Sequence, residues 1–90
     1  MGKERTRREH VAATVDEILR DEFEVEAEQL KPEAPLAELG LDSLDGVDLV
    51  VAIEKAFSLR IPEAEARSIR TLEDIYERVE RRLEELEGAV

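Results

Sequence analysis

Residues 39–57 read LGLDSLDGVDLVVAIEKAF, and their spacing decides the fold. Gly40 marks a turn. Beyond Asp42, the residues Leu44, Val47, Val50, Val51, Ile53 and Phe57 recur every three or four positions, the period of an amphipathic helix. Asp42 stands where a cap is wanted and Asp45 falls in the first turn. The apolar stripe Val47, Leu49, Val50, Val51 and Ile53 is wider than a small core requires, so part of it is expected to face a cavity or a partner. Ser43 then sits at the start of this helix, where unpaired N–H groups and the helix dipole favour a negative group. A phosphate esterified to its hydroxyl would be well placed there. The plainer role for such a serine is a helix cap or first-turn residue.

The same stretch argues against two other chemistries. A serine nucleophile needs a base, and the only histidine, His10, lies in the basic N-terminal region and reads as a surface residue. Leu41 and Asp45 also occupy the positions that a G-x-S-x-G elbow gives to glycine. Asp42, Asp45 and Asp48 invite a calcium loop. However, a loop with Gly46 at its sixth position would place Leu41 first and Ala52 twelfth, where acidic ligands are required. No metal site is expected; these acids read as a solvated face.

Outward from this helix the chain is helical and loop-linked. Residues 1–9 are Arg-rich and poor in apolar side chains, and read as a charged flexible arm before a single domain over residues 10–87. Val11, Val15, Ile18, Leu19 and Phe23 predict a first helix ending near Phe23. Residues 24–42 contain Pro32, Pro35 and Gly40 among Val25, Leu30, Leu36, Leu39 and Leu41, too interrupted for a helix and too apolar for a disordered linker. A long packed loop is expected, and loops of this length often carry function. Ile61-Pro62 breaks the pattern, and residues 62–68 suit one short turn of helix. Thr71 caps a last helix through Leu72, Ile75, Tyr76, Val79, Leu83 and Leu86, with Glu73 and Asp74 at its positive end and a tail over residues 88–90.

Composition narrows the function. The chain has 90 residues, no Cys and a formal net charge of −11. Disulfides, thiolate metal sites and cysteine nucleophiles are excluded, and a reducing, cytoplasmic setting is expected. No apolar run approaches the ~20 residues of a membrane span. Nucleic acid would be repelled. Residues 21–48 hold ten acidic side chains against Lys31 alone, a local sum of −9 that favours encounters with basic protein surfaces.

Leu39-Gly40-Leu41-Asp42-Ser43-Leu44, together with Val47-Asp48-Leu49, Glu54, Phe57 and Ile61-Pro62, resembles the acyl carrier protein family of the discrete bacterial type, over almost the whole chain. The resemblance implies an all-α antiparallel bundle of three main helices plus one short helix. It implies no enzymatic activity, but a 4′-phosphopantetheine arm that a separate phosphopantetheinyl transferase links to Ser43, with acyl cargo carried on the arm's thiol as a thioester. Acyl-transferring and condensing enzymes with basic surfaces would meet Asp42, Leu44, Asp45, Val47, Asp48, Val51 and Glu54. A monomer serving a fatty acid, polyketide or specialised lipid pathway is expected. Two alternatives are an unmodified helical adaptor docking through Leu72, Val79, Leu83 and Leu86, and an aminoacyl or peptidyl carrier. Asp42 before the serine tilts towards acyl cargo.

Overall fold

A computed structural model describes residues 7–88 of the chain. It is all-α, with α1 over Arg7–Glu22, α2 over Ser43–Phe57, α3 over Glu63–Arg67 and α4 over Leu72–Gly88. The described residues form no strand ladder, only an isolated bridge between Pro35 and Thr71.

The apolar spacing of each helix becomes its buried side. Val11, Val15 and Leu19 of α1 meet Leu49 and Ile53 of α2 and Leu72, Ile75, Tyr76 and Val79 of α4 in one core. Burial of these aliphatic side chains is the main stabilising term in a domain of this size. Contacts along the helices fix their directions. Arg8 reaches Glu80 in the middle of α4 while Asp16 meets Tyr76 nearer its start, so α1 and α4 run antiparallel. His10 packs edge-on against Phe57 at the end of α2, with ring centroids 6.0 Å apart, so α1 and α2 are antiparallel as well.

α1 begins at Arg7, inside the stretch whose composition predicts a flexible arm; residues 1–6 of that arm lie outside the described residues. The arm's composition does not reveal what the fold supplies. Arg7 pairs with Glu84 and Glu87, and Arg8 pairs with Glu80 while its guanidinium lies 5.6 Å from the centre of the Tyr76 ring.

The long loop is ordered by two short 3-10 turns, Ala27–Gln29 and Leu36–Leu39, and by burial of Val25 and Leu39. It is tied to the start of α4. Pro32 and Ala34 carbonyls accept from the N–H groups of Glu73 and Leu72 at 2.8 and 3.2 Å, and Leu36 N–H donates to Arg70 O at 2.9 Å. The loop thereby satisfies donors that a helix start leaves open. The cap box at α4 supplies the rest: Thr71 Oγ1 accepts from Asp74 N–H, and the Asp74 carboxylate accepts from Arg70 and Thr71 N–H. Those N–H groups, Arg70's first, hold the Asp74 carboxyl below its ordinary value.

Tyr76 is buried, and its hydroxyl donates to Asp16 Oδ1 at 2.6 Å. Burial, and then the bond to Asp16, push the phenol well above its ordinary value of 10.0. A raised phenol stabilises the fold below the unfolded value, and that contribution is lost as pH climbs towards the folded one. Melting temperatures followed by circular dichroism should fall more steeply above pH ~10 in the parent chain than in Tyr76→Phe. Equal slopes would show that this phenol is not linked to folding.

Candidate functional site

The site begins with Gly40, which ends the second 3-10 turn at φ 81° and ψ 16°, a left-handed conformation that glycine adopts without steric cost. The chain then enters α2 through Asp42, whose extended backbone and carboxylate make it the N-cap. Asp42 Oδ1 accepts from Asp45 N–H at 2.8 Å, and Asp45 Oδ2 accepts from Asp42 N–H at 3.3 Å. This reciprocal box takes two of the open donors of the helix start. Ser43 is thus the first helical residue and not the cap, and it is exposed. The N–H groups of Ser43 and Leu44 have no intrahelical acceptor and lie beside its hydroxyl.

No histidine stands near Ser43 to activate it. His10 contacts Phe57, at the other end of α2, and the helix rise places that end about 20 Å from Ser43. The described residues contain no cluster of acids and histidines suited to a metal. The hydroxyl can accept a group from another enzyme, but the fold gives it no means of attack on its own.

Beside Ser43 opens an apolar cleft of about 720 Å³, within the range of small-molecule sites. Val47, Leu49, Val50 and Ile53 of α2 form one wall, Ala66 and Ile69 form another, and Leu36, Ile61 and Ile75 close it. Ile69 lines this wall, whereas its neighbour Leu72 is fully buried in the core. Sequence spacing points to α2 and misses Leu36, Ile61 and Ile75, which are brought there only by tertiary folding.

The residues predicted to meet partners divide into two groups. Leu44, Val47 and Val51 are 74, 61 and 41% exposed, too open for core residues, and Asp42 and Asp48 are exposed beside them. Asp45 is half-buried in the cap box. Glu54 turns elsewhere: it is half-buried, and its Oε2 accepts from Ile61 N–H at 2.8 Å, pinning the loop after α2.

A second set of bonds holds α3 in place as the cleft's outer wall. Glu65 bridges Arg78 and Arg82 of α4 at 3.8 and 3.0 Å, and Arg78 also donates to Ser68 Oγ at 3.0 Å. The adaptor alternative loses its surface here, because Leu72 and Val79 are fully buried and Leu83 packs against the core, leaving only Leu86 exposed.

Comparison with known proteins agrees with this geometry. The family profile described as "Phosphopantetheine attachment site" matches residues 13–79. The chain is 45% identical over 62 residues to an acyl carrier protein of Syntrophobacter fumaroxidans, an overlap covering 68% of this chain and 76% of the relative. It is 40% identical over 68 residues to one from Helicobacter hepaticus, covering 74% and 90%. The crystal structure of an acyl carrier protein from Thermotoga maritima superposes with a TM-score of 0.82 at 34% identity, covering 92% of this chain and 98% of that one.

Proposed function

This chain belongs to the acyl carrier proteins, which are carriers and not enzymes, and from that membership we propose that Ser43 is the residue that bears its covalent 4′-phosphopantetheine. The observation that carries the assignment is the exposed hydroxyl of Ser43 on the first turn of α2, at the mouth of the apolar cleft. An ester phosphate there would lie beside two open N–H groups and the positive end of the helix dipole. The arm supplies the thiol, absent from a chain without cysteine, on which acyl groups ride as thioesters.

The cleft suits the apolar tail of that cargo, since its walls are aliphatic and it opens next to the attachment point. The face of Asp42, Leu44, Asp45, Val47, Asp48 and Val51 is the surface that a phosphopantetheinyl transferase and the acyl-transferring and condensing enzymes would meet. Its exposed aliphatic side chains offer contact area and its acids offer attraction to basic patches. Glu54 supports the cleft's rim from within. A monomer fits the net charge of −11, which opposes self-association. No helix among the described residues is long and apolar enough to cross a membrane, and the cysteine-free composition suits a cytoplasmic setting.

Incubation with coenzyme A and a broadly acting transferase should add the mass of one phosphopantetheine, and peptide mapping should locate it on Ser43. An unchanged intact mass, or modification at another residue, would overturn the assignment.

A further inference from the structure

Charge changes sign between the chain leading into α2 and the segment from its last turn onward. Residues 21–48 sum to −9, whereas residues 55–70 hold Lys55, Arg60, Arg67 and Arg70 against Glu63 and Glu65, a sum of +2. The two acids of this second stretch do little to neutralise it outwardly. Glu65 is directed to Arg78 and Arg82 of α4. Glu63 pairs with Arg67, but their side chains are 80 and 76% exposed, and a pair so open to water is weak and easily exchanged for another.

Two of these cations flank the apolar stripe. Asp48, Val51 and Lys55 are spaced three and four residues apart and share one helix face. Lys55 lines a shallow groove between α1 and α2 with Ile18, Glu22, Phe23, Asp48 and Val51. Arg67 lines the cleft on the other side of Val51. Val51 therefore stands between two positive side chains, while Asp45 and Asp48 lie towards Ser43.

We propose that this face docks a partner protein of matching two-signed charge: basic side chains near its active-site mouth, opposite Asp45 and Asp48, and carboxylates opposite Lys55 and Arg67. Helix geometry sets the rise from Asp48 to Lys55 at about 10 Å. The proposal rests on the assignment of α2 as the docking surface and specifies its partner. A uniformly basic surface would set like charges against Lys55 and Arg67, which slows encounter and weakens the complex. A second copy of this chain could match the pattern in antiparallel register, but two bodies of charge −11 repel.

The test is binding of the full chain, unmodified and pantetheinylated, to a condensing enzyme with a uniformly basic docking patch. The comparison partner is the same enzyme with its two basic residues farthest from the active-site mouth changed to Glu. At low salt the parent chain should bind the altered enzyme about tenfold more tightly, as expected for two exposed pairs switched from repulsion to attraction. Lys55→Glu with Arg67→Glu should reverse that order, and high salt should erase it. Both positions are exposed, so circular dichroism should show an unchanged fold.

A parent chain that prefers the uniformly basic enzyme, or keeps the same order after the double change, overturns the proposal. So does a dimer in sedimentation at low salt that the double change dissolves, which would assign the face to a second copy. Absence of binding by any form of the chain to either enzyme removes the docking face itself. The Ser43 assignment stands or falls separately, on intact mass.

Discussion

Ser43→Ala is expected to abolish phosphopantetheine transfer completely while leaving the domain folded and about as stable as the parent. The loss is absolute because no other hydroxyl stands at the start of α2: its neighbours are Asp42 and Leu44. The small structural cost follows from the position of Ser43 inside the first turn. The cap is Asp42, and no described residue hydrogen-bonds the Ser43 hydroxyl. Alanine is the best helix former, so the exchange should shift stability by less than about 0.5 kcal/mol. Asp42→Ala makes the contrast, because it breaks the reciprocal box with Asp45 and should cost about 0.5–2 kcal/mol. Intact mass after transferase treatment reads the first effect and denaturant titration the second. A modified Ser43→Ala chain would remove Ser43 from the mechanism. A variant as destabilised as Asp42→Ala would show that the serine has a structural part as well.

Leu49→Ala should remove a large share of the domain's stability. Leu49 is 1% exposed and serves both the core and the cleft wall. Truncating a buried leucine costs about 2–5 kcal/mol through lost transfer energy and the void left behind. Domains of this size have only about 5–15 kcal/mol in total. The corresponding drop in melting temperature is about 8–40 °C. An acyl chain seated in the cleft would fill part of that void, so the octanoyl form of Leu49→Ala should recover several degrees relative to its unacylated holo form. Calorimetry of the two forms provides the check. A variant that melts with the parent would place Leu49 outside the core, and identical melting of the two forms would place the cargo outside the cleft.

Much of this was legible in the sequence because its determinants are local. The 3–4 residue spacing of Val11, Val15 and Leu19, the Asp42–Asp45 box and the Thr71–Asp74 cap are all encoded within a turn or two of chain, and the starts of α2 and α4 follow from the caps. What escaped was encoded at a distance. Arg7 and Arg8 read as arm residues until Glu80, Glu84 and Glu87 arrive from the other end of the chain. Glu54 reads as one more surface acid on α2, because its acceptor role depends on how the chain turns back at Ile61. The Glu65 bridge to Arg78 and Arg82 likewise needs α3 and α4 side by side. The glycine turn and helix start mark Ser43 as a first-turn serine, and its proposed attachment role comes from the family resemblance around it. The chamber next to it needed Leu36, Ile61 and Ile75, whose spacing along the chain carries no period.

The pairing of Arg7 with Glu87 brings the first described residues of α1 beside the last turn of α4. His10 against Phe57 puts that junction at the pole of the bundle where α2 finishes. Ser43 begins α2 at the opposite pole, about 20 Å away by the helix rise. The molecule therefore has a handle at one pole and the proposed attachment residue at its tip. A resin, a fluorescent label or a neighbouring domain tethered through either end of the described chain would grip the handle and leave the tip free to visit one enzyme after another.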